Sequence, residues 1–123
     1  MTDVLKYDFC TMHIHDTYLI VEMNDGIHVT PDHNKILLNI ADTYYKNKPF
    51  VYLTHRVNSY SVDPAIYAET SKIKNLIGFA VISGDFKKKS NAEIEKLFFN
   101  KTFKIFDTIE DAVVWAKSIT TKK

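Results

Sequence analysis

Apolar residues recur along this chain with two spacings. Some short stretches alternate or run continuously apolar, as strands do, and others repeat every third and fourth residue, as helices do. Leu5, Tyr7 and Phe9 alternate with polar or mixed neighbours and predict an edge strand, with residues 11–17 either continuing it or connecting it onward. Residues 18–23 predict a strand, being rich in β-branched and aromatic types. Asn24-Asp25-Gly26 is a turn signal because Asn and Gly tolerate positive φ, so residues 27–30 are expected to return as a hairpin partner. Thr30-Pro31 opens a helix, since Thr accepts from a free amide of the first turn and Pro loses nothing there. Ile36, Leu37, Ile40, Ala41 and Tyr44 form its apolar stripe, and Lys46, Asn47, Lys48 and Pro49 end it.

Residues 50–54 predict the next strand and residues 55–62 a polar loop. Asp63-Pro64 opens a second helix with Ile66, Thr70 and Ile73 on its inner face. Residues 77–82 are almost wholly apolar, the pattern of a strand covered on both faces. Ser90-Asn91-Ala92-Glu93 has the form of a capping box, with Ile94, Leu97 and Phe98 following at helical spacing. Residues 103–106 alternate as a short strand. Asp107-Thr108-Ile109-Glu110 repeats the capping pattern ahead of Ile109, Ala112, Val113 and Ala116, flanked by Trp115 and Ile119, and the Lys-rich tail is expected to fray.

Strands alternating with helices define an α/β fold with crossovers. The early hairpin adds an antiparallel edge, so the expected architecture is a mixed, mostly parallel sheet with about four helices. A length of 123 residues suits a single domain, 1–123, with its core at about 18–118. Phe50, Phe79, Phe98, Phe103 and Trp115 are expected in that core. With 46% hydrophobic residues, 25% charged residues and a net charge of +1, the chain is neither disordered nor a broad phosphate-binding surface. No apolar stretch is long enough to span a bilayer and no secretory signal opens the chain. The lone cysteine, Cys10, precludes an intrachain disulfide, and the expected location is the cytoplasm.

The hairpin over 18–30, the strand–loop–helix–strand unit over 50–82 and the closing strand and helix over 103–116 resemble the STAS domain (sulphate transporter and anti-sigma-factor antagonist), or SpoIIAA-like fold. Similar proteins of that kind occur in bacteria. The resemblance implies a non-enzymatic regulatory or protein-interaction module. Members that antagonise anti-sigma factors carry a phosphorylated Ser, usually within Asp-Ser-Ser/Thr-Gly, at the start of the helix after the central strand. Here that region runs from Asn58 to Pro64. It holds Ser59 and Ser61, but the Gly is missing and Asp63 follows the serines. Ser59 and Ser61 are the candidate phosphorylation positions. A SEC14-like branch of the fold, which binds lipids or other apolar molecules, implies the alternative of a carrier or sensor of a small apolar or acidic ligand.

The candidate binding segment is the loop after the central strand: His55, Arg56, Asn58, Ser59, Tyr60 and Ser61, with Tyr67 on the following helix. Ligands of open α/β sheets bind beyond the carboxyl ends of the strands. Arg56 is the single arginine among 16 basic residues and offers a planar fork that Lys cannot copy; pairing with an internal acid is its structural alternative. Tyr44, Tyr45, Tyr52, Tyr60 and Tyr67 are candidates to line an apolar pocket. His55, Ser59 and Asp63 do not form a recognisable nucleophilic set, because no Gly-x-Ser-x-Gly elbow accompanies them. His13-x-His15 with Cys10 and Asp16 lacks the paired ligand spacing of a zinc site, and His28, His33 or His55 would have to complete it. Lys87-Lys88-Lys89 is a short solvated run, and scattered glycines make no phosphate loop. No cofactor, metal or catalytic residue is expected. The expected partner is a protein or a second copy, with a small apolar ligand as the alternative.

Overall fold

The structure, a computed structural model, describes residues 3–58, 60–99 and 101–121, and for Phe86 the backbone alone. Ser59 and the lysines of the tail lie outside the described residues. β1 (Asp3–Lys6), β2 (Cys10–Ile14) and β3 (Tyr18–Met23) form an antiparallel meander. The single alternating run expected over Leu5, Tyr7 and Phe9 is therefore broken. The chain reverses after β1, where Tyr7 N donates to Cys10 O at 2.8 Å. Asn24 secures this turn from a distance, donating through Nδ2 to Asp8 O at 2.7 Å and through its backbone to Phe9 O at 2.8 Å.

The turn at Gly26 (φ 78°) forms as expected, but it does not build a hairpin on β3. Both edges of β3 are occupied, by β2 on one side and by β5 (Phe50–His55) on the other. The chain leaves the sheet instead. β4 (His28–Val29) pairs in parallel with β6 (Ser61–Val62) in a separate two-stranded sheet. The antiparallel part of the main sheet is thus supplied upstream of β3.

From β3 onward the sheet is parallel, in the order β1-β2-β3-β5-β7-β8, with β7 at Leu76–Ile82 and β8 at Thr102–Phe106. A 3-10 turn over Pro31–His33 leads into α1 (Asn34–Tyr44), which buries Leu37, Ile40 and Ala41. Asn47 takes the left-handed conformation (φ 59°) just after the helix, which suits Asn before the stop at Pro49. α2 (Ala65–Thr70) is short; Asp63 Oδ1 accepts from Ala65 N at 3.0 Å, and Tyr67 and Thr70 are buried. α3 (Phe86–Glu95) follows β7, and α4 (Ile109–Thr121) follows β8.

The helices divide between the two sheet faces. α1, α2 and Ala92 of α3 share a core with Leu19, Val21, Phe50, Tyr52, Phe79 and Phe103. Ala112 and Ala116 of α4 pack on Tyr18, Val51, Leu53, Ala80 and Ile82. β5 and β7 are covered on both faces, so their apolar runs are continuous.

Three expectations for the last third are corrected. α3 starts at Phe86, not at Ser90, because Asp85 caps it by accepting from Lys88 N at 3.0 Å; Ser90 is then inside the helix. Ile94, Leu97 and Phe98 do not face the core but are 60%, 82% and 50% exposed, and Phe99 is buried in their place. Ile94 stands about 200° round the helix from the buried Ala92 and so points outward; beyond it the helix tightens into a 3-10 turn over Lys96–Phe98, which changes the angle per residue for Leu97 and Phe98. At α4 the first-turn acceptor is Thr108, whose Oγ1 receives Asp111 N at 3.2 Å, while Asp107 is drawn into an ion pair with Lys89.

Candidate functional site

β5 and β7 end side by side, with His55 in register with Ile82, and Arg56 N donates to Ile82 O at 2.9 Å. This backbone bond sets Arg56 at the carboxyl ends of the two central strands. Its side chain turns inward and is 8% exposed. Nη1 donates to Glu95 Oε2 at 3.0 Å and Nη2 donates to Glu95 Oε1, a bidentate pair brought by the last residue of α3. Tyr67 donates its hydroxyl to Glu95 Oε1 at 2.6 Å and receives Arg56 Nη2 at 3.4 Å. The Tyr60 ring lies 5.5 Å from the guanidinium carbon. Burial would lower the affinity of Arg56 for its proton, but Tyr60, Glu95 and Tyr67 together raise it, so the group stays charged. Burial, reinforced by Glu95, pushes the Tyr67 hydroxyl well up, so it remains a donor. Arg56 Nε is buried with no hydrogen-bond partner among the described residues.

This cluster separates two spaces. On its outer side lies an open cleft of about 500 Å³. Asn58, Tyr60, Ser61, Val62 and Pro64 form one wall; Asp85, Lys87, Lys88, Asn91 and Ile94 form the other. On its inner side, between the sheet and the segments carrying β4, α1 and α2, is an apolar cavity of about 40 Å³ bordered by Met12, Met23, Tyr52 and Phe79. That is room for about one water, against the ~300–1,000 Å³ of small-molecule sites.

The structure brings Arg56, Asn58, Tyr60 and Ser61 to the cleft, with Tyr67 behind Arg56. Asn58 donates through Nδ2 to Met23 O at 3.0 Å, tying the loop to the end of β3. Ser61 is exposed, and its hydroxyl lies 2.7 Å from His28 Nδ1 across the small sheet. His55 is directed elsewhere, to Glu22 Oε2 at 3.3 Å; its side chain does not meet the serine hydroxyl of Ser61. Of the five tyrosines, Tyr52, Tyr60 and Tyr67 border the inner cavity. Tyr44 bonds Asp3 instead, and Tyr45 stacks on Phe50 while donating to His15 O and Tyr18 O. These two lie at the opposite end of β5, because α1 carries its C-terminus away from the loop.

The His13 and Cys10 side chains occupy opposite faces of β2, as its alternating burial requires, and His15 stacks on Tyr18 at 4.6 Å. Among the described residues no group of three or more His, Cys, Asp or Glu is placed to hold a metal ion. Burial pushes the Cys10 thiol up to about 12.

Glu95, Lys87, Lys88, Asn91 and His28 complete the site; the sequence pattern placed the lysines in a solvated run, Asn91 in a cap and His28 beside a metal candidate, and left Glu95 unmarked. One signal existed for Glu95: a buried arginine requires a buried acid, although nothing in the pattern says which acid.

No family model matches the chain, and no curated protein matches its sequence. The fold matches the crystal structure of an uncharacterized protein of the DUF3478 family with a SpoIIAA-like fold from Shewanella loihica PV-4. The TM-score is 0.54 over 94% of this chain and 92% of that chain, at 16% identity. This chain has a SpoIIAA-like fold, as its element order led us to expect. At that identity the likeness carries architecture and no activity. Among the described residues, no helix is long and apolar enough to cross a membrane.

Proposed function

We propose that this protein is a non-enzymatic recognition module that binds a partner protein, or a second copy of itself, through the cleft between residues 56–64 and α3. The observation that carries this reading is the position of the cleft. It is open, about 500 Å³ in volume, and lies beyond the carboxyl ends of β5 and β7 with a buried, charged arginine at its base. The only histidine–serine contact there, His28 with Ser61, has no carboxylate orienting the histidine among the described residues. An activated nucleophile needs such a third group and oxyanion donors, so the arrangement favours binding over catalysis. Ser61 is exposed on the cleft wall, and a phosphoryl group there would add a charge of about −1.5 to −2 to the recognition surface. The cytoplasm remains the compartment we assign to this activity.

A second reading, a carrier of a small apolar or acidic ligand, is favoured by the apolar cavity behind Arg56, which would have to expand several-fold to hold one. Native mass spectrometry on protein purified gently from its own cells separates the two. A bound chain or dimer that Asn91→Trp abolishes by filling the cleft supports the first reading. A small molecule released on denaturation moves the carrier reading ahead. A bare monomer counts against both.

A further inference from the structure

The recognition reading can be taken to a partner chemistry. We infer that the cleft takes an extended acidic segment of a partner protein, laid beside β6 with its carboxylates on Lys87 and Lys88; this rests on the protein-recognition reading above.

The cleft carries an excess of positive charge. Arg56, Lys87, Lys88, Asp85 and Glu95 are the ionisable side chains of opposite sign that line the cleft. Both carboxylates are committed: Asp85 caps α3 by accepting Lys88 N, and Glu95 receives Arg56 and Tyr67. Arg56 is committed in turn. The neighbouring Lys89 is neutralised by Asp107. Lys87 and Lys88 meet no carboxylate among the described residues, so the charge left over in the cleft is positive. The N-terminal turn of α3, on which both lysines sit, adds to that potential.

The backbone of β6 offers hydrogen-bonding groups beside that charge. Among the described residues β6 pairs with β4 alone: Ser61 N donates to Ile27 O at 3.1 Å and Asp63 N donates to Val29 O at 2.8 Å. Peptide groups alternate in direction along a strand, so the Val62 N–H and C=O between them point away from β4. Val62 lines the cleft. A segment added there gains main-chain hydrogen bonds from Val62 and places alternate side chains toward α3, where the lysines and the 60%-exposed Ile94 stand. Two lysines suit a short acidic segment more than a long polyanion, whose binding draws on many basic contacts.

The test is fluorescence anisotropy of a labelled peptide of alternating Glu and Val against the full chain, beside its Gln and Val analogue. The Glu peptide should bind in preference, and K87E/K88E should weaken it by about tenfold or more, about 1.4 kcal/mol. Lys117→Glu, on the exposed side of α4, should leave it unchanged, and Asn91→Trp should abolish it without altering charge. Equal losses in Lys117→Glu, or no binding of the Glu peptide, overturn the proposal. If the Gln peptide binds equally well and shifts the amide signals of Asn58, Tyr60 and Asn91, the acidic preference falls and the recognition reading survives. If neither peptide moves those signals and the protein is a bare monomer by native mass spectrometry, both fall. Mixed phosphatidylserine and phosphatidylcholine vesicles that bind through Lys87 and Lys88 while the peptide does not would overturn the proposal in favour of a membrane surface.

Discussion

α3 and α4 lie on opposite faces of the same sheet and are held by different forces. α4 buries Ala112, Ala116 and Thr120, and it lies close to the sheet because Gly78 has no side chain. A Cβ at that position would stand 2.9 Å from Trp115 Cη2 and 3.0 Å from Ile119 Cδ1. α3 buries Ala92 and leaves Ile94 in solvent. It is fastened by ionic contacts at its ends, Lys89 to Asp107 and Glu95 to Arg56. Close packing of small residues consumes a helix's apolar face. Anchoring by charge leaves that face, and the cleft beside it, free for another molecule.

The largest expected effect breaks the charged anchor. Glu95→Leu leaves Arg56 buried and unpaired, and should cost about 3–5 kcal/mol in urea denaturation. The double variant R56L/E95L should cost less than Glu95→Leu alone, since no charge is then stranded. A cost below about 1 kcal/mol for Glu95→Leu would mean that apolar contacts hold α3 after all.

The packed helix should respond to volume instead. Gly78→Val forces Trp115 and Ile119 outward and should cost about 1–3 kcal/mol by thermal unfolding. Trp115→Leu should recover part of that loss, and an equal penalty in both backgrounds would locate the strain in β7.

Leu97→Ser tests the free surface of the 3-10 turn that follows α3. At 82% exposure it should change stability by no more than about 0.5 kcal/mol in the same urea assay. A larger loss would place Leu97 in a contact of the folded state.

The smallest effect is a pH dependence on the α4 face. Burial lowers the proton affinity of His15, with His13 and Lys117 of α4 adding to it against Asp16. The unfolded chain therefore binds that proton more readily, and His15 costs stability as pH falls through about 6.5, its unfolded value. Urea midpoints compared at about pH 5 and pH 8 should show a slope that His15→Gln flattens.

These contrasts follow how much could be seen in the chain beforehand. α4 was legible in its stripe and the preceding strand, which are contiguous, while its cap is Thr108 and not Asp107. α3 departs from the same kind of pattern: Ser90 to Glu93 has the form of a cap, but Asp85 starts the helix earlier, Ile94 faces away from the buried Ala92, and Leu97 and Phe98 lie in a 3-10 turn. The candidate loop was legible as a position, the end of a buried parallel strand. Its contents were only half visible, since the wall carrying Lys87, Lys88 and Asn91 arrives from the next crossover.

Local periodicity and turn chemistry were enough for the alternation of strands and helices, the doubly covered β5 and β7, the stop after α1 and the apolar stripe of α4. Only the tertiary structure decided which acid Arg56 meets, 39 residues away. It also decided that β4 pairs with β6 and not with β3, and that α3 shows its apolar residues to solvent. The physical reason is the same in each case. Periodicity states which residues seek cover, whereas their cover, and the partner of a buried charge, depend on which edges and faces other segments have already occupied.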